Sequence, residues 1–435
     1  MNDPEAAEGA RATGSRSATV SPAPAPRAPL APIAWSPWRA VVGFGVVSLA
    51  ADMVYEGARS ITGPLLALLG ASAVLVGLVT GVGEAMALVL RLLFGSWADR
   101  SGRYWTLTFA GYALTAIAVP ALAITPFIGG AGLVLACFLI LAERTGKAVR
   151  SPSKTALLAH AAGAVGLGRG FAVHKALDQV GAVAGPLVVA AVAALTGVLW
   201  PALAVLVIPG AIALLILIWL RQRIGDPANL PKDRGTTVVA TEPTHTSASP
   251  ARLPRQFWLF AFAAGASTAG LVTFGVISYH LTKDHVVSVA AVPIIYAAAM
   301  GTEAVAALAT GWLFDRIKGR VLLALPLLVA AIPGLAFTNS VSTVLVGVIL
   351  WGAANGIQDS TVKALVADLV PATRRATAYG VFAAVQGSAA VAGGAMAGAL
   401  YSRSLPALIA AVSVTQLVAL VLLVVTLRRR ESSQP

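Results

Sequence analysis

Gly95-Ser-Trp-Ala-Asp99-Arg100-Ser-Gly102-Arg103 and Gly311-Trp-Leu-Phe-Asp315-Arg316-Ile-Lys-Gly319-Arg320 are two versions of one polar turn, set far apart in a single chain. Each lies between two long apolar segments. Each supplies a Gly that lets helices approach, an Asp, basic side chains and a second Gly that permits the turn. Such a turn, repeated between apolar runs, marks a helical membrane protein built from two related halves.

Composition agrees. Hydrophobic residues make up 57% of the 435 and charged residues 11%, where a soluble chain carries about 25% charged residues. The apolar runs are roughly twenty residues long, enough to cross ~30 Å of hydrocarbon as helices. The net charge of +13 comes from basic residues clustered between and beside those runs. That is the positive-inside pattern, so the charge reports topology and not a nucleic-acid partner. The single cysteine, Cys137, lies in an apolar run and excludes an internal disulfide.

Residues 1–35, rich in Ala, Pro, Ser and Thr, read as a disordered tail with no removable signal peptide. Six spans are expected at about Trp38–Leu69, Ala73–Trp97, Tyr104–Ile124, Phe127–Arg150, Arg169–Leu195 and Leu199–Leu220. Ser151–Gly168 reads as a mixed cytoplasmic connection, partly helical. The first bundle therefore covers 36–221 and a polar linker 222–254. Six more spans fall near Phe257–Leu281, Val289–Phe314, Val321–Phe337, Val341–Leu369, Ala376–Tyr401 and Leu405–Leu427, in a second bundle at 255–428 with a basic tail at 429–435. Loops bearing Arg100, Arg103, Lys154, Arg221, Arg316 and Arg374 alternate with short uncharged ones, which places both termini in the cytoplasm.

Ionisable side chains inside the spans cost at least ~2.5–3.5 kcal/mol each and need a reason. Asp52, Glu56 and Arg59 share one face of the first span, with Tyr55 beside them. They form either a self-neutralising cluster, Arg59 on Glu56, or a cavity lining. Glu84 in the second span and Glu303 in the eighth fall one turn apart when Asp99 and Asp315 are aligned, and Arg91 is expected to pair with an acid near the inner gate. His174 and Asp178, four apart in the fifth span, form a possible proton relay, with an inner-gate salt bridge from His174 or Lys175 to Asp178, or to Asp52 across the bundle, as the alternative. In the tenth span Asn355, Gln358 and Asp359 recur at helical spacing; Asp359 and Lys363 equally suit an inner-gate bridge. Gln386 in the eleventh span is a further contact candidate. His280 and His285, at the outer end of the seventh span, read as solvated, and no metal-ligand set is expected.

The two turns resemble the G-x-x-x-D-R-x-G-R loop signature of the major facilitator superfamily. That signature lies between the second and third helices, with a degenerate copy between the eighth and ninth, and both copies here stand at those places. The resemblance implies an all-α polytopic fold with twelve transmembrane helices in two six-helix repeats. It implies a substrate site at the midplane, lined by the first and tenth helices among others. It implies alternating access, with Asp99, Arg100, Asp315 and Arg316 stabilising the outward-facing state. A basic residue of the fourth helix would communicate with the loop Asp; Arg144 is the candidate and Lys147 the rival. Gly181-Ala-Val-Ala-Gly185-Pro186 is similar to the superfamily's antiporter motif in the fifth helix, with Val189-Ala190 where that motif ends in two glycines. The expected function is secondary transport of a small amphiphilic or zwitterionic solute across the bilayer of the cytoplasmic membrane. Proton-coupled efflux is favoured and proton-symport uptake is the alternative. A monomer without cofactor or metal is expected. No enzyme is expected, because neither a phosphate loop nor a catalytic constellation is present; a transporter-like sensor or scaffold is the rival of another class.

Overall fold

The computed structural model describes residues 36–224, 253–371 and 374–431. The expected tails and linker, the side chain of Lys363 and its proposed bridge to Asp359 lie outside the described residues.

In lipid every backbone N–H and C=O must be satisfied within the segment, so the apolar runs become helices. Among the described residues there is no strand. Fifteen helices follow one another: α1 Pro37–Ser60, α2 Thr62–Leu68, α3 Ala73–Ser101, α4 Tyr104–Ala121, α5 Ala131–Ala162, α6 Leu167–Thr196, α7 Trp200–Ala204, α8 Val207–Arg223, α9 Arg255–Gly270, α10 Phe274–Lys283, α11 Val292–Ile317, α12 Ala324–Ala336, α13 Val341–Leu369, α14 Arg375–Arg403 and α15 Leu405–Glu431. Ten stretches among the described residues are long and apolar enough to cross a membrane. One of them, Val292–Ala336, is 45 residues long and carries two passes, α11 and α12. The twelfth pass is α5, whose Glu143, Arg144 and Lys147 keep it from counting as apolar.

Three spans differ from expectation. The first is broken at Ile61: Pro64 has no N–H to give to the Ser60 carbonyl, and α1 ends there. The seventh is broken at Leu271–Thr273, where the indole Nε1 of Trp351 donates to the freed Val272 carbonyl at 2.8 Å. The fourth span is longer than expected: α5 runs on to Ala162, so the partly helical connection at Ser151–Gly168 is mostly helix.

Helices α1–α8 form one bundle and α9–α15 the other. They meet along α3 against α14, α6 against α11 and α2 against α10. Small residues set the distances. A Cβ at Gly181 or Gly185 of α6 would collide with the Leu49 or Met53 carbonyl of α1, so this motif is a helix-packing element. On the α3–α14 seam Gly77 and Gly394 meet backbone to backbone, as do Gly398 and Ala73.

The two polar turns share a positive φ at the matching position but differ in residue and in ψ. Gly102 ends α3 with φ 66° and ψ 4°, and the matching position in the second copy is Lys318 at φ 54° and ψ −141°. Gly319, expected to permit the turn, is instead buried and packed under Leu365 and Leu427. Gly311, expected to let a helix approach, faces open space. The acid takes a local partner in the first copy, where the Tyr104 hydroxyl donates to Asp99 at 3.2 Å. Arg316 lies 3.6 Å from the Trp312 ring centre.

Candidate functional site

A cavity of about 390 Å³ lies between the bundles. Its end nearest the short uncharged loops is closed. There the Tyr279 hydroxyl donates to the Ala71 carbonyl at 3.2 Å, Thr80 and Thr273 hydroxyls meet at 2.8 Å, and Gly63 of α2 sits against α10. Towards the charged loops its wall continues through Arg91, Ser151, Lys154 and Lys175, the last with 64% of its side chain exposed.

The stripe Asp52, Tyr55, Glu56 and Arg59 lines this cavity together with Glu84, Asp178 and Glu303. Asn355, Gln358, Asp359 and Gln386 line it from the other bundle. Arg59 is not chiefly the partner of Glu56: its Nη2 stands 2.7 Å from Glu84 Oε1, and Glu56 Oε2 is 3.8 Å from Nη1. The helical i, i+3 spacing suggested the local pair, but Glu56 is turned to the opposite bundle, where it accepts from the Tyr296 hydroxyl at 2.5 Å. Tyr296 packs on Phe274 and Trp351, with ring centres 4.5 and 6.2 Å away. This is the polar contact that joins α1 to α11 at the heart of the molecule.

Arg144 and Lys147 do not reach Asp99. Arg144 is buried, donates to the Tyr55 hydroxyl and stands 3.6 Å from Glu84 and 3.5 Å from Glu143. Lys147 Nζ lies 3.6 Å over the Tyr55 ring. Both belong to the site because α5 turns this face inward at their level, away from the polar turn.

The expected His174–Asp178 pair is not bonded. Asp178 takes the alternative partner, Lys175, at 3.0 Å. His174 is buried behind α1, outside the cavity lining, with Nε2 2.9 Å from Ser48 Oγ. Ser48 also receives Lys154 Nζ at 2.8 Å. An ammonium only donates, so Ser48 is the acceptor there, and the tautomer of His174 sets which of the two donates in the Ser48–imidazole bond. Arg91 lines the cavity in the field of Asp359 but forms no ion pair within 4 Å among the described residues. Gln358 and Gln386 both donate to Thr268, at 3.1 and 3.4 Å, and Asn355 to the Trp351 carbonyl at 2.8 Å.

His280 is buried, not solvated as expected. Its Nδ1 is 2.7 Å from Asp284 and its Nε2 3.2 Å from the Thr338 carbonyl, among Phe337 and Tyr401. His285 stays exposed. No cluster of metal-binding side chains occurs among the described residues.

Sequence reasoning missed Tyr296, Trp351 and Gln179, whose amide donates across the seam to the Met300 carbonyl at 3.0 Å. Single polar or aromatic residues in apolar runs carry no period to betray them. Lys147, Arg150 and Lys154 were separable: spacings of three and four put them on one face of α5. The basic residues of the lining are Arg59, Arg91, Lys147, Arg150, Lys154 and Lys175; the acidic ones are Asp52, Glu56, Glu84, Asp178, Glu303 and Asp359.

The sequence model of the Major Facilitator Superfamily matches residues 44–280 and 260–435. An uncharacterised protein of Mycobacterium tuberculosis (strain ATCC 25618 / H37Rv) is 51% identical over 391 residues, 90% of this chain and 93% of its own. One of Mycobacterium bovis is equally similar over the same shares. Among solved structures, the nucleoside transporter NupG superposes with a TM-score of 0.68 at 14% identity, over 89% of this chain and 99% of its own. A bacterial homologue of the human lysosomal transporter Spinster, inward-facing and occupied, gives 0.63 at 16%, over 90% and 95%. A peptide-bound transporter of the POT family gives 0.67 at 13%, over 91% and 96%. At such identities the structures are alike in fold.

Proposed function

The chain belongs to the major facilitator superfamily, and from that premise we propose that it exports a small amphiphilic or zwitterionic organic solute across the cytoplasmic membrane in exchange for protons. That it is a multi-pass membrane protein of a transporter family, with a small-molecule substrate, follows from the family itself. Solute, coupling and direction are the proposal. The observation that carries it is the cavity between the bundles, closed at one end and lined by equal numbers of basic and acidic side chains. Ionisable groups at membrane depth face substrate or ion pathways.

With both termini in the cytoplasm, the described state is inward-facing. Asp52, Glu56 and Glu84 are the candidate proton carriers. Protonation of Glu84 would release Arg59 from its 2.7 Å ion pair, freeing a cation for the solute or for Glu56. Protonation of Glu56 would change the bond to Tyr296 that ties the bundles together. The polar turns at Asp99 and Asp315, carrying Arg100, Arg103 and Arg320, would act in the outward-facing state, where the inner ends approach. His174 takes part through Ser48 and Lys154. The Gly181, Gly185, Pro186 element supports exchange over symport, through its similarity to the antiporter motif. A monomer is the proposed working unit.

The test uses proteoliposomes loaded with a pH dye. Amphiphilic cations, zwitterions and organic acids are added under an imposed gradient, with an Asp52→Asn, Glu56→Gln double variant in parallel. Solute-triggered alkalinisation of acid-loaded vesicles, lost in the variant, is expected. Labelled solute crossing both proteins equally, without proton movement, would overturn the coupling. Accumulation of label down the proton gradient would replace export by uptake.

A further inference from the structure

We propose that the cavity is polarised by half, and that it takes a zwitterion in one orientation, anionic end against α5 and cationic end against α11 and α13. This rests on the reading of the cavity as the transport site. Among the described residues, every basic residue of the lining comes from the first bundle; the charged residues the second bundle contributes are the acids Glu303 and Asp359, with the amides Asn355, Gln358 and Gln386 beside them.

The ion pairs sharpen the division. In the first bundle Glu84 is taken by Arg59 and Arg144, and Asp178 by Lys175. Glu56 is taken by Tyr296, with Arg59 at 3.8 Å. Lys147, Arg150 and Lys154 have no carboxylate within 4 Å among the described residues; they rest on the Tyr55 ring, on Thr115 at 2.5 Å and on Ser48 at 2.8 Å. These three form a ladder along two turns of α5, about 10 Å of helix. Asp52 lies among Lys147, Lys154 and Asp178. Across the cavity Glu303 and Asp359 neighbour each other and form no ion pair within 4 Å among the described residues.

A basic ladder facing two acids, neither with an ion-pair partner within 4 Å among the described residues, is complementary to a solute carrying both charges at opposite ends. A singly charged solute satisfies one wall and leaves the other uncompensated. The amides Asn355, Gln358 and Gln386 line the same side of the cavity and can read polar groups near the cationic end. The anion can be a carboxylate or a phosphonate; the ladder recognises charge on oxygen in either.

The probes are ω-amino acids of three to eight carbons and the matching aminoalkylphosphonates, against the n-alkylamines and n-alkanoates that carry one charge each. Binding is read by isothermal titration to the purified full chain in detergent, and carriage by counterflow in proteoliposomes. A zwitterion of matching length is expected to bind about 10- to 100-fold more tightly than either singly charged analogue. In Glu303→Gln, Asp359→Asn the preference over the alkanoate should vanish. In Lys147→Gln, Lys154→Gln the preference over the alkylamine should vanish, the other preference remaining in each case. The wild type and both variants serve as folding controls for one another, because each variant must still bind one singly charged class. Equal affinity for zwitterion and either analogue in the wild type, loss of all binding together in both variants, or no binding of any zwitterion in either series overturns the proposal. Zwitterions that bind with these end preferences but show no counterflow leave the polarity standing and overturn transport instead. A singly charged solute that is carried while zwitterions are not does the reverse.

Discussion

The seam between α3 and α14 should be a moving part, and Gly77→Ala tests it. A Cβ built at Gly77 runs into the carbonyl oxygen of Gly394, and one built at Gly394 runs into that of Gly77. Neither oxygen is on a side chain that can turn away, so the two helices must part by about 1 Å to admit a methyl group. Forcing a close-packed contact in this way costs about 1–3 kcal/mol. The seam is closed at the short-loop end in the described state, so the cost falls on this state and is relieved in one where that end opens. The population ratio should therefore shift by about 5- to 150-fold towards the opposite state. Spin labels at Gly130→Cys and Ser340→Cys, both exposed near the short-loop end, report that gap, in a Cys137→Ser background. A second pair at Ser101→Cys and Ile317→Cys reports the other end. Pulsed electron resonance should show the first distance lengthen and the second shorten in Gly77→Ala. Gly387→Ala is the control, because its Cβ meets the tip of the Val89 side chain at 3.1 Å and the Ala85 Cα and Cβ no closer than 3.5 Å. Unchanged distributions at both ends in a monodisperse Gly77→Ala protein would refute the reasoning and make the seam static.

Two further expectations concern stability in detergent. Lys318→Gly should raise the unfolding free energy by about 1 kcal/mol, because a β-carbon is held at φ 54° there, while Gly102→Ala at φ 66° should lower it by a similar amount; thermal unfolding of the two variants moving in the same direction would contradict this. Tyr296→Phe keeps the ring contacts with Phe274 and Trp351 but removes the donor to Glu56. It should cost about 1–2 kcal/mol, and a double-mutant cycle with Glu56→Gln should show that the two losses do not add.

Much of the site was legible because membrane burial makes charge conspicuous. Asp52, Glu56, Arg59, Glu84, Glu303 and Asp359 stand out in apolar runs, and all of them line the cavity. Their partners were not legible. Helical spacing offers only neighbours on the same helix, and so pointed to Arg59 with Glu56 and His174 with Asp178. The structure instead pairs Arg59 with Glu84 on the next helix, Glu56 with Tyr296 of the other bundle, and His174 with Ser48. Arg144 was misplaced for a related reason: resemblance gave it a role at the polar turn, while its height along α5 puts it under Tyr55.

By itself the sequence determined the class of molecule, because hydrocarbon leaves a chain of long apolar runs no structure but helices. It also determined the internal duplication, because the polar turn is written twice at matching places, and the set of charges that must avoid lipid. Only the tertiary structure decided where the first and seventh spans break, since a freed carbonyl is tolerated only where a neighbour such as the Trp351 indole can satisfy it. Only the tertiary structure, likewise, divided the cavity into a wall with basic residues and a wall without them. That division depends on which helices face each other across the two bundles, a relation between residues hundreds of positions apart that no local period records.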